Sequence, residues 1–136
     1  MWEAYGLKNK DFLWAGTVFQ GGIAGQQQAP CGAVSASALA LGFRHRLSTS
    51  NREKAEKARN AACEDAAELV KSFEEKFGAI TCIGLLGVDF RDEEASKQAR
   101  DSGIFEGKCS NQVQFAIEKL YDIEEKHNRP AKNKSC

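Results

Sequence analysis

Residues 21–42 narrow the choice of folds more than any other part of this chain. A glycine-rich loop, Gly21-Gly22-Ile23-Ala24-Gly25, leads to Pro30-Cys31-Gly32-Ala33. Residues 33–41 then read Ala-Val-Ser-Ala-Ser-Ala-Leu-Ala-Leu without a charge. Pro30 fixes φ and suits a helix start, the residues after it are good helix formers, and Gly42 offers a C-cap. Small side chains on every face let neighbours approach closely, so this helix is expected at the centre of the fold. Cys31 falls in its first turn, where free backbone N–H groups and the positive end of the helix dipole favour a thiolate. The alternative role for such a cysteine is a small buried hydrophobe.

Length and charge set the remaining bounds. A chain of 136 residues reads as one domain with room for a real core, here residues 1–127 followed by a polar tail over 128–136. Lys+Arg 19 balances Asp+Glu 19, which gives no basic excess for nucleic acid. No apolar run reaches the ~18–20 residues that span a bilayer, and Met1-Trp2-Glu3-Ala4 is not the start of a signal peptide. The expected location is the reducing cytoplasm, where structural disulfides are uncommon. Five cysteines there call for metal or redox chemistry, or occur by chance. No Cys-x-x-Cys pair is present, so zinc-ribbon, thioredoxin and covalent haem signatures are all missing.

The rest of the chain reads as helices. Residues 1–5 resemble a last helical turn stopped by Gly6. Asn9 can cap a helix whose apolar face is Phe12, Ala15, Gly16 and Phe19, widened by Trp14 and Val18. Gln26-Gln27-Gln28 is a polar insert. Arg44-His45-Arg46 is a short basic cluster in which His45 reads as a surface or helix-end residue. Residues 51–77 give the clearest helix: Ala55, Ala58, Ala62, Ala66, Leu69, Phe73 and Phe77 keep helical spacing, with Cys63 and Val70 at the edge and Gly78 as C-cap. Thr81 can cap a short helix that opens on Cys82 and ends at Gly87. Residues 92–102 read as a solvated helix or ordered loop, pinned to the core by Gly103-Ile104-Phe105. A last helix follows Cys109, with Val113, Ala116, Ile117, Leu120 and Ile123 on one face. Cys136 at the end reads as incidental.

One pattern survives this pass. Cys31, Cys82 and Cys109 each stand at an expected helix start, which suits either a low-pKa thiol or a set of sulfur ligands supported by backbone N–H groups. Other site classes are weak. Neither His45 nor His127 has the context of a catalytic base, the glycine loop lacks the Gly-Lys-Ser/Thr of a phosphate loop, and no Glu-x-x-His pair marks a di-iron bundle.

Phe19-Gln20-Gly21-Gly22-Ile23 followed by Cys31-Gly32-Ala33 resembles a family of redox-active proteins named for widely spaced cysteines and a Cys-Gly-Ala-x-x-Gly motif. The likeness continues through residues 73–78, Thr81-Cys82, Leu85-Leu86-Gly87, Ser102-Gly103-Ile104-Phe105 and Cys109. The family is related to the non-haem part of split-Soret cytochrome c. The resemblance implies an α-helical redox module in which Cys31, Cys82 and Cys109 are the family cysteines and candidate ligands of an iron–sulfur cluster. Two departures accompany it. Ala36 replaces the last glycine of the motif, and a further family cysteine belongs to an N-terminal helix upstream of a segment like residues 3–7, so this chain is expected to begin after it. Three thiolates leave the usual four-cysteine ligation of a [2Fe–2S] cluster one short. Cys63, a second subunit or an exogenous ligand would complete it.

The expectation is therefore an all-α protein, a compact bundle of four to five helices around the small-residue helix. Its function is expected to be redox. Cys31, Cys82 and Cys109, with Cys63 as a possible fourth, either ligate an iron–sulfur cluster such as [2Fe–2S] or cycle between thiol and disulfide with an unknown redox partner protein. A helical interaction or scaffold domain without redox chemistry is the alternative, and structural zinc a third. Apolar surface around Trp2 and Trp14 suggests a homodimer.

Overall fold

The computed structural model describes residues 11–46 and 50–128. The expected opening turn over residues 1–5, the Asn9 cap and the tail beyond residue 128 lie outside them. Six α-helices follow in order: α1 (Asp11–Gly16), α2 (Gly32–Arg44), α3 (Arg52–Phe77), α4 (Cys82–Leu86), α5 (Glu93–Asp101) and α6 (Ser110–Asn128). A 3-10 turn over Thr17–Phe19 extends α1, and a π-helical turn over Phe105–Cys109 leads into α6. The protein is all-α, and the described residues hold more helices than the expected four to five because α1, α4 and α5 are short, the last two separately capped.

The frame is the triangle of α2, α3 and α6, each packed on the other two. Leu41, Leu69, Phe73 and Ile123 are fully buried where the three meet, with Val34, Leu85, Ala116 and Leu120 around them. Each large side chain removed from water in this way contributes ~1.5–3 kcal/mol before entropy is charged against it. Phe73, Phe77 and Phe115 close the frame near the C-terminal end of α3, with ring centroids 4.7, 5.4 and 6.0 Å apart.

Local signals set several boundaries as expected. Asn51 accepts a hydrogen bond from Lys54 N at 3.0 Å and starts α3, and Gly78 ends it at φ 78°. Thr81 Oγ1 accepts from Gly84 N at 3.3 Å to start α4, which Gly87 ends at φ 71°. Asp92 caps α5 through Ala95 N at 3.0 Å, so residues 93–101 are a true helix, with Ser96 and Ala99 buried.

Three expectations are corrected. The α2 helix runs through Gly42 and ends at His45 instead, because nothing crowds Gly42 and the helical bonds continue. It is central but not enclosed: Val34, Ser37, Ala40 and Leu41 face the core while Ala36, Ala38 and Gly42 face solvent. On α6 the buried face is Gln112, Ala116, Leu120 and Ile123, whereas Val113 and Ile117 are exposed. A face read by apolar residues alone misses the buried Gln112 and is rotated toward solvent. Likewise Trp14 and Val18 are exposed rather than packed.

Candidate functional site

The glycine loop is a tight left-handed coil. Gly21, Gly22, Ile23 and Ala24 have φ of 56, 58, 61 and 50°, and Gln27 has 62°. A β-branched residue such as Ile23 is strained there, and non-glycine residues in this region cost ~1–2 kcal/mol each. Ala24 N donates to Val18 O at 2.8 Å and Gln27 N to Gly21 O at 2.9 Å, which hold the coil closed. Gly22 is buried, and a Cβ placed on it would stand 2.6 Å from Ala29 O and 3.1 Å from Cys82 Cβ. The backbone of the loop therefore lies directly against Cys82.

The polar insert turns out to be structural. Gln27 is 1 % exposed. Its Nε2 donates to Val88 O at 2.7 Å, and Phe90 N donates to its Oε1 at 2.6 Å. It ties the coil to the segment leaving α4. An antiparallel bridge between Pro30 and Thr81 completes the junction: Cys31 N donates to Ile80 O at 2.6 Å, Cys82 N to Ala29 O at 3.4 Å and Ile83 N to Gln27 O at 3.3 Å. Two distant stretches are thus paired at the point where each carries a cysteine.

The three family cysteines have different settings. Cys31 is the N-cap residue of α2, half-buried, and its thiol contacts Gln112 Oε1 on α6 at 3.7 Å. Cys82 is buried at the first position of α4. Cys109 is not at a helix start. It closes the π-helical turn, in a helical stretch that continues without a break into α6. A π-turn re-aims side chains along a helix and is frequent at functional sites. Lys108 Nζ donates to Leu85 O and Leu86 O, both at 3.4 Å, and docks this turn on the C-terminal end of α4.

Contacts between their elements bring these cysteines into one region: the Pro30–Thr81 bridge pairs the stretches that carry Cys31 and Cys82, and Lys108 docks the Cys109 turn on α4. Burial pushes the Cys82 thiol up; a hydrogen bond from Gln27 opposes this, and the nearby Cys31 adds to it. Burial also raises Cys109, followed by the charges of Cys31, Cys82 and Glu106. The expectation of thiols lowered by helix starts is overturned for these two. Their N–H donors and short or distant helix ends supply less than burial removes, and the backbone N–H of Cys82 already serves the bridge.

Cys63 is not brought to them. It lies exposed in the middle of α3, 14 residues before Phe77, or about 21 Å along the helix from the end that meets Cys31. Another group is assembled that the sequence did not suggest. His45 Nε2 lies 2.6 Å from Asp65 Oδ2, and His127 Nε2 lies 2.8 Å from the same oxygen. No local motif links these residues. The available signal was Asp65 on the inward face of α3, with a histidine at the far end of each helix that packs on it.

Comparison with curated proteins and with solved structures gives no match. A family model described as "Putative redox-active protein (C_GCAxxG_C_C)" matches residues 1–123. That span holds the glycine coil, Cys31, Cys82 and Cys109 and the elements that carry them, and the chain belongs to this family.

Proposed function

We propose that this protein is a small cytoplasmic electron-transfer module whose Cys31, Cys82 and Cys109 ligate an iron–sulfur cluster. One observation carries the reading: the Pro30–Thr81 bridge joins the stretches that carry Cys31 and Cys82, and Lys108 docks the turn that carries Cys109 on the end of α4. Soft sulfur donors gathered in this way suit iron or another thiophilic metal. The raised thiols of Cys82 and Cys109 are poor nucleophiles at neutral pH, whereas a bound metal deprotonates its thiol ligands outright. That favours the cluster over thiol–disulfide cycling. When bound, a [2Fe–2S] cluster supplies one-electron transfer, taking an electron from a donor protein and passing it to an acceptor. The chain's own part is to hold three sulfurs through α2, α4 and the π-turn, and to exclude water with the glycine coil and Gln27. Cys63 stands too far away to be the fourth ligand, which a second copy or an exogenous group would provide.

The test is anaerobic purification followed by visible absorption and iron analysis of wild type and Cys82→Ser. Broad visible absorption with bound iron, both lost in the variant, supports the reading. Colourless, iron-free protein that also fails to take up iron and sulfide in reconstitution refutes it.

The interaction-module reading keeps one observation in its favour. Cys109, Val113, Ile117 and Tyr121 follow at four-residue spacing along α6, and the last three are 47, 41 and 54 % exposed. A homodimer through this stripe would use a different surface from the expected one around Trp2 and Trp14. Light scattering showing a monomer at high concentration, unchanged by Ile117→Asp, would remove it.

A further inference from the structure

At the end of the bundle opposite Cys31, Cys82 and Cys109, three helices deliver one donor each to a single point. His45 is the C-cap residue of α2, Asp65 sits mid-way along α3, and His127 stands in the last turn of α6. We propose that His45, Asp65 and His127 form a second site, for a divalent transition-metal ion of the zinc class. The site is independent of the cysteine reading.

The donor atoms carry the argument. Among the described residues, one ligand atom from each of these three side chains lies within 4.8 Å of the other two. Both imidazoles present the same atom, Nε2, to one carboxylate: His45 at 2.6 Å, and His127 at 2.8 and 3.0 Å from its two oxygens. The rings stand edge to face, with centroids 5.3 Å apart and planes at 77°, so their nitrogens converge without stacking. Two neutral imidazoles and a carboxylate make up a common catalytic-type zinc donor set and the non-haem iron facial triad.

The fit requires little movement. Donors ~2.0–2.1 Å from a tetrahedral ion are about 3.3 Å from each other. The present 2.6 and 2.8 Å would open by less than 1 Å, and the two imidazole donors, within 4.8 Å of each other, would close by at most ~1.5 Å. His127 can yield, because its side chain is 39 % exposed at the end of a helix, whereas Asp65 and His45 are held at 12 and 13 %. The exposed side of His127 also gives the ion an entry path and leaves the fourth position to water.

Charges around the site do not close it to a cation. Arg44 is paired with Glu124 at 3.0 Å. Glu68, one turn along α3 from Asp65, is paired with Lys119 and Lys126. Lys57 is paired with Glu53 at 2.7 Å, while Arg46, which donates to Phe43 O at 2.7 Å, and Lys54 keep their charges on the exposed surface beside His45, where water screens them. Separation from the sulfurs is also clear. The length of α2 from Cys31 to His45 is 14 residues, about 21 Å, so neither site shares a ligand with the other.

The experiment is a Co2+ titration of the full chain, read optically, followed by Zn2+ displacement and a thermal melt. Nitrogen and oxygen ligation of Co2+ gives weak visible bands, and thiolate ligation adds an intense near-ultraviolet band, so the two sites separate in one spectrum. Wild type is expected to show the weak bands saturating at one equivalent, and Zn2+ to remove them and raise the melting temperature. His127→Gln, at an exposed helix end where folding is not at risk, should weaken Co2+ binding about tenfold or more. His45→Gln should do the same, and Cys82→Ser should leave these bands unchanged. If His45→Gln fails to fold by circular dichroism, His127→Gln decides. Thiolate bands alone, no Co2+ uptake by wild type, or binding unchanged in His127→Gln would overturn the proposal and leave the three residues as a hydrogen-bonded ion cluster.

Discussion

Replacing Gln27 by leucine tests how the cysteine end is held together. Leucine keeps most of the bulk but makes neither of the bonds to Val88 O and from Phe90 N. A buried backbone group left without a partner costs ~1–3 kcal/mol. Val88 and Phe90 are only half-buried, so water recovers part of that cost. The lower half of the range then applies to each, and the sum is ~2–4 kcal/mol. For a domain of this size that lowers the melting temperature by roughly 6–20 °C. Urea unfolding followed by circular dichroism measures it, with thiol labelling of Cys82 as a second readout, since the coil that Gln27 anchors lies over that sulfur. Labelling should become faster in the variant. A loss below about 1 kcal/mol with an unchanged m-value and unchanged labelling would show that these two bonds do not hold the coil.

Other outcomes follow from the same geometry. Gly22→Ala should cost more than ~2 kcal/mol, because a methyl at φ 58° meets Ala29 O at 2.6 Å in backbone that cannot retreat. Gly42→Ala should instead stabilise by ~0.5–1 kcal/mol, since it is helical with nothing within 4 Å; denaturant melts of both variants check the pair. In metal-free protein at neutral pH, exposed Cys63 should alkylate well before Cys82 and Cys109, whose raised thiols react faster only as pH climbs; site-resolved mass spectrometry reads the order. Burial raises the Asp65 carboxyl, but bonds from His45 and His127 and their charges bring it below the ordinary range. Its stabilisation is therefore complete above the ordinary aspartate range and is lost as pH falls through the lowered value. Asp65→Asn should flatten the acid limb of a stability–pH curve.

Much of the fold was legible because its determinants are local. Residues 51–77 announce a helix by period alone, and Asn51, Gly78, Thr81, Gly87 and Asp92 act on backbone groups three or four residues away. Cys31, Cys82 and Cys109 could be singled out by residue type and by resemblance. Which face of α6 is inside could not, because Gln112 is buried by its contact with Cys31. Gln27 read as loop because its partners lie more than sixty residues on.

The sequence by itself determined the helices, their caps and the three candidate sulfurs, since helical period, cap chemistry and residue identity act over a few residues. Only the tertiary structure decided that the bridge at Pro30 and Thr81 joins the stretches carrying Cys31 and Cys82, that the thiols of Cys82 and Cys109 are raised rather than lowered, and that His45, Asp65 and His127 meet. Burial, long-range pairing and the convergence of helix ends depend on packing, and packing is set by contacts between residues far apart in the chain.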